Sequence, residues 1–271
     1  MASGAEGQQG AGGSSDFILD HIIDHPELHL GPLHIHLPKG FEVFGIYMPI
    51  TQHLVMMWVA ALFLILVLWA STRRRGLVPS GFGNVVEALV LFVRDELAIP
   101  NIGKKEAGRF MPFLLTLFFF ILTCNLMGLI PFGATPTGNI SVTAGLAIFS
   151  FVVIQLAGMM YNGVFGYWKG LIPHGVPFWL VPLLFPIEVA GLIIKPFALC
   201  VRLFANMTAG HIVILSLIGL IFILHSVMIA PASILFAVAI YMLEIFVALV
   251  QAYIFTLLSS VFIGMAVHQD H

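Results

Sequence analysis

From Pro49 onward the chain alternates long apolar runs with short polar stretches. An apolar run of about 20 residues crosses a bilayer as a helix rising ~1.5 Å per residue. The first such run is about Pro49–Ser71, and Arg73, Arg74 and Arg75 follow at once. Residues 80–97 differ. Phe82, Val85, Val86, Leu89, Val93 and Leu97 form an apolar stripe at helical spacing, with Asn84, Glu87, Arg94, Asp95 and Glu96 off it. Too short and too charged to span, this segment predicts an amphipathic helix lying on the membrane surface. A charged turn is expected from Lys104 to Arg109. Further spans are expected at about Phe110–Ile130, Ile140–Tyr167, Phe178–Leu224 and Ala230–Val267. The last two are far longer than a crossing needs. The pattern favours a long tilted hairpin, with Pro182, Pro186 and Pro196 as breaks in its first arm. The expected architecture is an all-α polytopic membrane protein with five spans and one interfacial helix.

Ahead of the first span lies a polar segment, 1–48, rich in histidine and expected outside the cytoplasm; residues 49–271 form the membrane domain. Residues 1–15 are mostly Gly, Ser, Gln and Ala and read as disordered. They have neither a cationic start nor an apolar run, so no signal peptide is expected and the first span serves as the targeting signal. His21, His25 and His29 are spaced by four and could bind a metal on a helix, but a solvated outer segment accounts for them more simply, and no metal site or cofactor is expected.

Composition agrees with a membrane protein. The chain of 271 residues is 60% hydrophobic and 9% charged, against about 25% charged in soluble domains. A net charge of −2 gives no reason to expect a nucleic-acid partner. There is no Gly-x-x-x-x-Gly-Lys-Ser/Thr loop, so direct nucleotide binding is not expected. Cys124 and Cys200 fall in apolar segments and read as small buried hydrophobes. Seven of the eleven Lys and Arg lie between the first two spans. That loop is therefore cytoplasmic by the positive-inside rule. The uncharged loop Pro131–Asn139 falls outside and Lys169 inside, which puts the N-terminus outside and the C-terminus in the cytoplasm.

The chemistry concentrates in the last two spans. Of thirteen acidic residues only Glu188 and Glu244 lie in apolar spans, and Lys195 and Arg202 are the only Lys or Arg there. An arginine at mid-bilayer costs about 2.5–3.5 kcal/mol on insertion scales and cannot shed its proton. It needs an anion or a wet cavity. Glu188, Lys195 and Arg202 are spaced by seven and share a stripe, which Asn206 joins at i+4. Glu188 is two turns, ~10 Å, from Lys195, so Lys195 is expected to meet an opposing group instead. His211 lies about half a turn round from Arg202 and ~13 Å along. A hairpin turning near Ser226–Val227 sets Arg202 level with Gln251 and His211 level with Glu244. The His–Glu pair can exchange a proton near neutral pH, whereas the arginine is a fixed charge. A secondary transporter with an intramembrane ion pair is the rival reading, but such folds carry internal repeats and none is visible.

Lys195-Pro-Phe-Ala-Leu-Cys-Val-Arg-Leu-Phe-Ala-Asn-Met-Thr-Ala-Gly210, with Gln251-Ala-Tyr-Ile-Phe-Thr256 and Asn125-Leu-Met-Gly-Leu-Ile-Pro131, closely resembles subunit a of the rotary F-type ATP synthases. The resemblance covers the chain from about Pro49 to its end. It implies a non-catalytic, proton-conducting stator in a bacterial inner membrane. Its partners would be a ring of proteolipid c subunits and the peripheral-stalk b subunits. Arg202 matches the family's essential arginine, which separates two half-channels and faces the ring carboxylates. Asn206, Gln251, Glu188 and Asn125 match proton-path positions, and His211 with Glu244 matches an acid/base pair whose members are exchanged in some relatives. Asn139 and Ser141 would line the inlet. One departure is Gly128, where some relatives carry an acid.

Overall fold

The computed structural model describes residues 27–30, 33–36, 41–43, 46–48, 51–73, 81–130, 135–171, 177–224 and 230–269. Two short antiparallel hairpins come first: β1 (Glu27–Leu30) with β2 (Leu33–His36), and β3 (Phe41–Val43) with β4 (Ile46–Met48). His29 therefore lies in a strand, in register with His34. A helical i, i+4 arrangement is therefore not what His29 adopts, because strand geometry puts neighbours at i+2 on one side. His21 and His25 lie outside the described residues, as do residues 1–15, Arg74, Arg75, Pro131 and the turn at Ser226–Val227.

The rest of the described residues are helical apart from short turns and links. In chain order the helices are α1 (Gln52–Arg73), α2 (Phe82–Phe92), a π-helical stretch (Val93–Ala98), α3 (Ile99–Ile102), α4 (Lys104–Gly128), α5 (Ile140–Asn162), α6 (Val164–Gly170), α7 (Val181–Leu224) and α8 (Ala230–Val267). Short 3-10 turns occupy Pro136–Gly138 and Phe178–Leu180. Five helices, α1, α4, α5, α7 and α8, are long and apolar enough to cross a membrane. The expected polytopic helical protein is what these residues form.

Four expectations of detail are corrected. Lys104, Lys105, Glu106 and Arg109 are not a turn but the opening of α4. Lys104, Lys105 and Arg109 stay exposed while Ala107 and Phe110 are buried, so the helical period already runs through the charged stretch. The surface helix does not end at Leu97: it continues to Ile102 through a π-helical turn. An extra residue in that turn accompanies full burial of Val93, Leu97 and Ala98. The third span stops at Asn162 rather than Tyr167, because Gly163 adopts φ 71°, ψ 160°, a conformation essentially confined to glycine. Lastly, the prolines do not break α7, which runs 44 residues with Pro186 and Pro196 inside it. Pro182 stands in the first turn, where a missing N–H costs nothing. At ~1.5 Å per residue α7 is about 66 Å long, twice the ~30 Å hydrocarbon core, so within a bilayer it must tilt.

The described residues fall into two compact units. One is drawn from Met1–Ala60, Cys124–Asn139 and Leu203–Leu249, the other from Ala61–Thr123, Ile140–Arg202 and Val250–His271. In the second, Val93, Leu97, Ile102, Leu114, Phe118 and Phe255 are buried together with Ile263. Phe92 packs its ring 6.5 Å from Phe118 and 5.8 Å from Tyr253. Side chains fasten the end of α8: Asn101 donates to Ser260 Oγ at 3.1 Å, Asn162 donates to the Ala266 carbonyl at 2.8 Å, and His268 Nε2–H donates to the Ile102 carbonyl at 2.8 Å. In the first unit, Tyr241 donates its hydroxyl to the Leu129 carbonyl at 2.7 Å, and Ser233 on α8 bonds the Leu217 carbonyl on α7. Large apolar side chains such as Leu62, Ile65, Leu235, Phe236 and Met242 remain exposed, as a lipid-facing surface requires.

Candidate functional site

Asn125, near the end of α4, is fully buried. Its amide donates to the Ala248 carbonyl on α8 at 3.3 Å, and its oxygen accepts the Thr137 hydroxyl at 2.7 Å. Thr137 belongs to the 3-10 turn Pro136–Gly138, and Thr135 stands just before that turn. The Thr135 hydroxyl bonds Nε2 of His211, and the Thr135 carbonyl accepts Nδ1–H of His53, on α1, at 3.0 Å. On the opposite side of the imidazole, His211 Nδ1 lies 3.2 Å from Glu244 Oε1. Glu244 is 4% exposed, and neither carboxylate oxygen has an aligned hydrogen bond. An isolated buried carboxylate costs several kcal/mol. It is satisfied only by its ion-pair contact with His211, by a proton or by water. Such a group is suited to receive and release protons.

Two threonines and a histidine of this cluster, Thr135, Thr137 and His53, were not expected from the sequence. The only hint was a hydroxyl on each side of Pro136 in an uncharged loop. Gly128 shows why the loop can reach His211. A Cβ at Gly128 would stand 2.1 Å from Thr135 Oγ1, so glycine leaves the space that the threonine fills. The position where some relatives of the resembled family place an acid is thus covered by a hydroxyl from another segment. Asn139 follows the 3-10 turn half-buried, and Ser141 is exposed in the first turn of α5.

The second unit holds a cavity of about 260 Å³ lined by Glu188, Lys195, Leu192, Pro196, Ser150, Gln155, Tyr167, Phe262 and Gln269 among others. Ser150 Oγ and Gln269 Oε1 are buried there without a hydrogen-bond partner, which suits a space that holds water. Pro196 removes the N–H that would bond the Leu192 carbonyl one turn earlier. The structure brings Glu188 and Lys195 to one cavity. Lys195 Nζ lies 4.9 Å from the centre of the Phe262 ring, a cation–π contact. Burial pushes the Tyr167 phenol up from its ordinary range, so it adds polarity without charge.

Arg202, on α7, is half-buried. No hydrogen bond or ion pair joins it to a described residue. On its face of the helix Ala198, Ala205, Asn206 and Ala209 are exposed. Small side chains let another backbone approach closely. Gln251 is buried on α8 in the same unit. Cys124 and Cys200 are buried free thiols. Among the described residues no group of three or more His, Cys, Asp or Glu is placed to hold a metal ion.

The model of the family described as ATP synthase A chain matches residues 54–264. A protein named ATP synthase subunit a from Chloroherpeton thalassium is 52% identical over 93% of this chain and 77% of its own length. One of that name from Myxococcus xanthus is 51% identical over 93% and 88%. Another from Chlorobium phaeobacteroides is 46% identical over 98% and 80%.

Proposed function

The chain belongs to the ATP synthase A chain family, and from that premise we propose that it is the proton-conducting stator of an F-type ATP synthase. In this reading it is non-catalytic: ATP chemistry belongs to other subunits. It lies in a bacterial inner membrane with its N-terminus outside and its C-terminus in the cytoplasm. A ring of proteolipid c subunits, each with one carboxylate, turns past it, and peripheral-stalk b subunits hold it still.

Protons enter from outside through a path lined by His211, Glu244, Asn125 and Asn206, with Asn139 and Ser141 at the mouth. They leave towards the cytoplasm through the cavity at Glu188 and Lys195. Gln251 completes the path near the ring. In chain order along α7 the arginine stands between the two, after Glu188 and before His211. A ring carboxylate protonated from the outer path is neutral and can pass through lipid. At the inner path it loses the proton, and the anion is stabilised beside the guanidinium. The same fixed charge repels protons and blocks a leak from one path to the other. Each proton crossing releases ~2.3 kcal/mol per 100 mV, which biases the rotation.

The observation that carries this reading is Arg202: a half-buried, permanent cation in an apolar helix, paired with no described carboxylate, on a face of exposed small residues. A charge so placed fits a partner that supplies the anion and moves on. Arg202→Ala in the assembled enzyme should lower proton-driven ATP synthesis at least about 100-fold, since breaking a buried ion pair costs about 3–5 kcal/mol. Passive proton leak through the membrane sector should persist or rise. Normal coupled synthesis by this variant would sink the proposal.

A further inference from the structure

We propose that Thr135 is the positioning residue for His211, and that Gly128 is the residue that makes room for it. The inference rests on reading His211 and Glu244 as an acid/base pair of the outer path. It adds a third member from a loop.

The geometry of the ring carries the inference. An imidazole that exchanges protons with Glu244 through Nδ1 must keep that nitrogen aimed at the carboxylate in every protonation state. A ring held only at Nδ1 is free to tip and turn. The structure holds it at both ends: Nδ1 lies 3.2 Å from Glu244 Oε1, and Nε2 is bonded to Thr135 Oγ1. No other hydrogen bond or ion pair to His211 is recorded among the described residues.

A hydroxyl suits this place because it can both donate and accept. When the ring is charged, Nε2–H donates to Oγ1 and Nδ1–H points at the carboxylate. When the proton passes from Nδ1 to Oε1, the ring is left neutral with Nε2–H still donating to Oγ1, and Glu244 becomes the neutral acid. In the other neutral tautomer the Thr135 hydroxyl turns to donate to Nε2. One side chain thus fits all three states, which an amide or a carboxylate does less readily.

Thr135 is itself held. It is 3% exposed, and its carbonyl accepts Nδ1–H of His53 at 3.0 Å. A Cβ at Gly128 would fall 2.1 Å from Oγ1 and 2.5 Å from the threonine methyl. Any larger residue at 128 must displace the side chain that steadies His211. Among the described residues, the titratable groups around the ring are Glu244 from α8 and, one residue removed behind Thr135, His53 from α1.

The test uses the assembled enzyme in inverted membrane vesicles and measures proton conductance across a pH series, with assembly verified by the amount of membrane-bound complex. Thr135→Val removes the hydroxyl and keeps the shape. It should slow conductance roughly tenfold and shift the pH profile. Thr135→Ser should stay within about twofold of the parent, since it retains the hydroxyl. Gly128→Ala should resemble Thr135→Val although it leaves the threonine in the sequence. His211→Gln serves as the reference. If His211→Gln is impaired while Thr135→Val keeps the parental rate and profile, this inference is overturned and the pair stands. Loss in Thr135→Ser as large as in Thr135→Val also overturns it, because the hydroxyl is then not what matters. If Thr135→Val does not assemble, Gly128→Ala decides: a parental rate and profile there overturn the inference. If His211→Gln itself conducts normally, the reading of the acid/base pair fails and the inference falls with it.

Discussion

Arg202 sets the chemistry at the scale of single residues because its charge cannot be switched off. Histidine and glutamate can change state; guanidinium cannot. In the proposed mechanism the roles divide accordingly, with His211 and Glu244 exchanging protons and Arg202 supplying a constant field. If those two act as one unit, what matters is that one imidazole and one carboxylate face each other, whichever helix carries which. Exchanging them, His211→Glu with Glu244→His, should therefore retain at least about tenfold more proton conductance than the worse single variant, a coupling of about 1.4 kcal/mol. A double variant no better than its parents would show that the pair does not act together. The pairing itself was legible, because two long apolar runs separated by only a few residues have a register that sequence spacing determines, and the two side chains are 3.2 Å apart. Thr135 and His53 were not legible. Thr135 reaches His211 from a loop, and His53 reaches the Thr135 carbonyl from the first span; no periodicity links segments so far apart. The contact of Lys195 with Phe262 was foreseen only as an opposing group of unknown kind.

At the scale of elements, hydropathy located the five long helices and misjudged their ends. It sees apolar content, and an end is set by backbone geometry and by packing. Gly163 illustrates the first cause. Tyr161, Asn162 and Val164 to Tyr167 continue an apolar pattern, yet the chain leaves the helix where glycine permits φ 71° with ψ 160°. Gly163→Val should destabilise this corner by roughly 1–3 kcal/mol, read as a lower melting temperature of the purified complex; an unchanged temperature would mean the conformation is not required. The π-helical turn at Val93–Ala98 illustrates the second. Nothing in the spacing marks it, whereas full burial of Val93, Leu97 and Ala98 gives it a reason. Prolines misled in the other direction. Pro186 and Pro196 suggested breaks, but loss of one hydrogen bond per proline is tolerated inside α7.

For the whole molecule, the five long helices and the uneven distribution of basic residues together imply a direction in the membrane. Seven of eleven Lys and Arg fall from Arg73 to Arg109, that is at the end of α1, in the stretch before α4 and in the first turns of α4, so that side should face the cytoplasm. A cysteine introduced at Gly81, beside that basic stretch, should react with an impermeant thiol reagent in inverted vesicles and resist it in intact cells; the reverse pattern would invert the topology. Among the described residues no carboxylate pairs with Arg202. If a passing subunit supplies the anion, the distance from the Arg202 guanidinium to the nearest ring carboxylate in the assembled complex will show it. One ring carboxylate is expected within about 4–6 Å, the range in which opposite charges govern ionisation, with all others out in lipid. A guanidinium paired with a carboxylate of its own chain, with every ring carboxylate beyond that range, would contradict it.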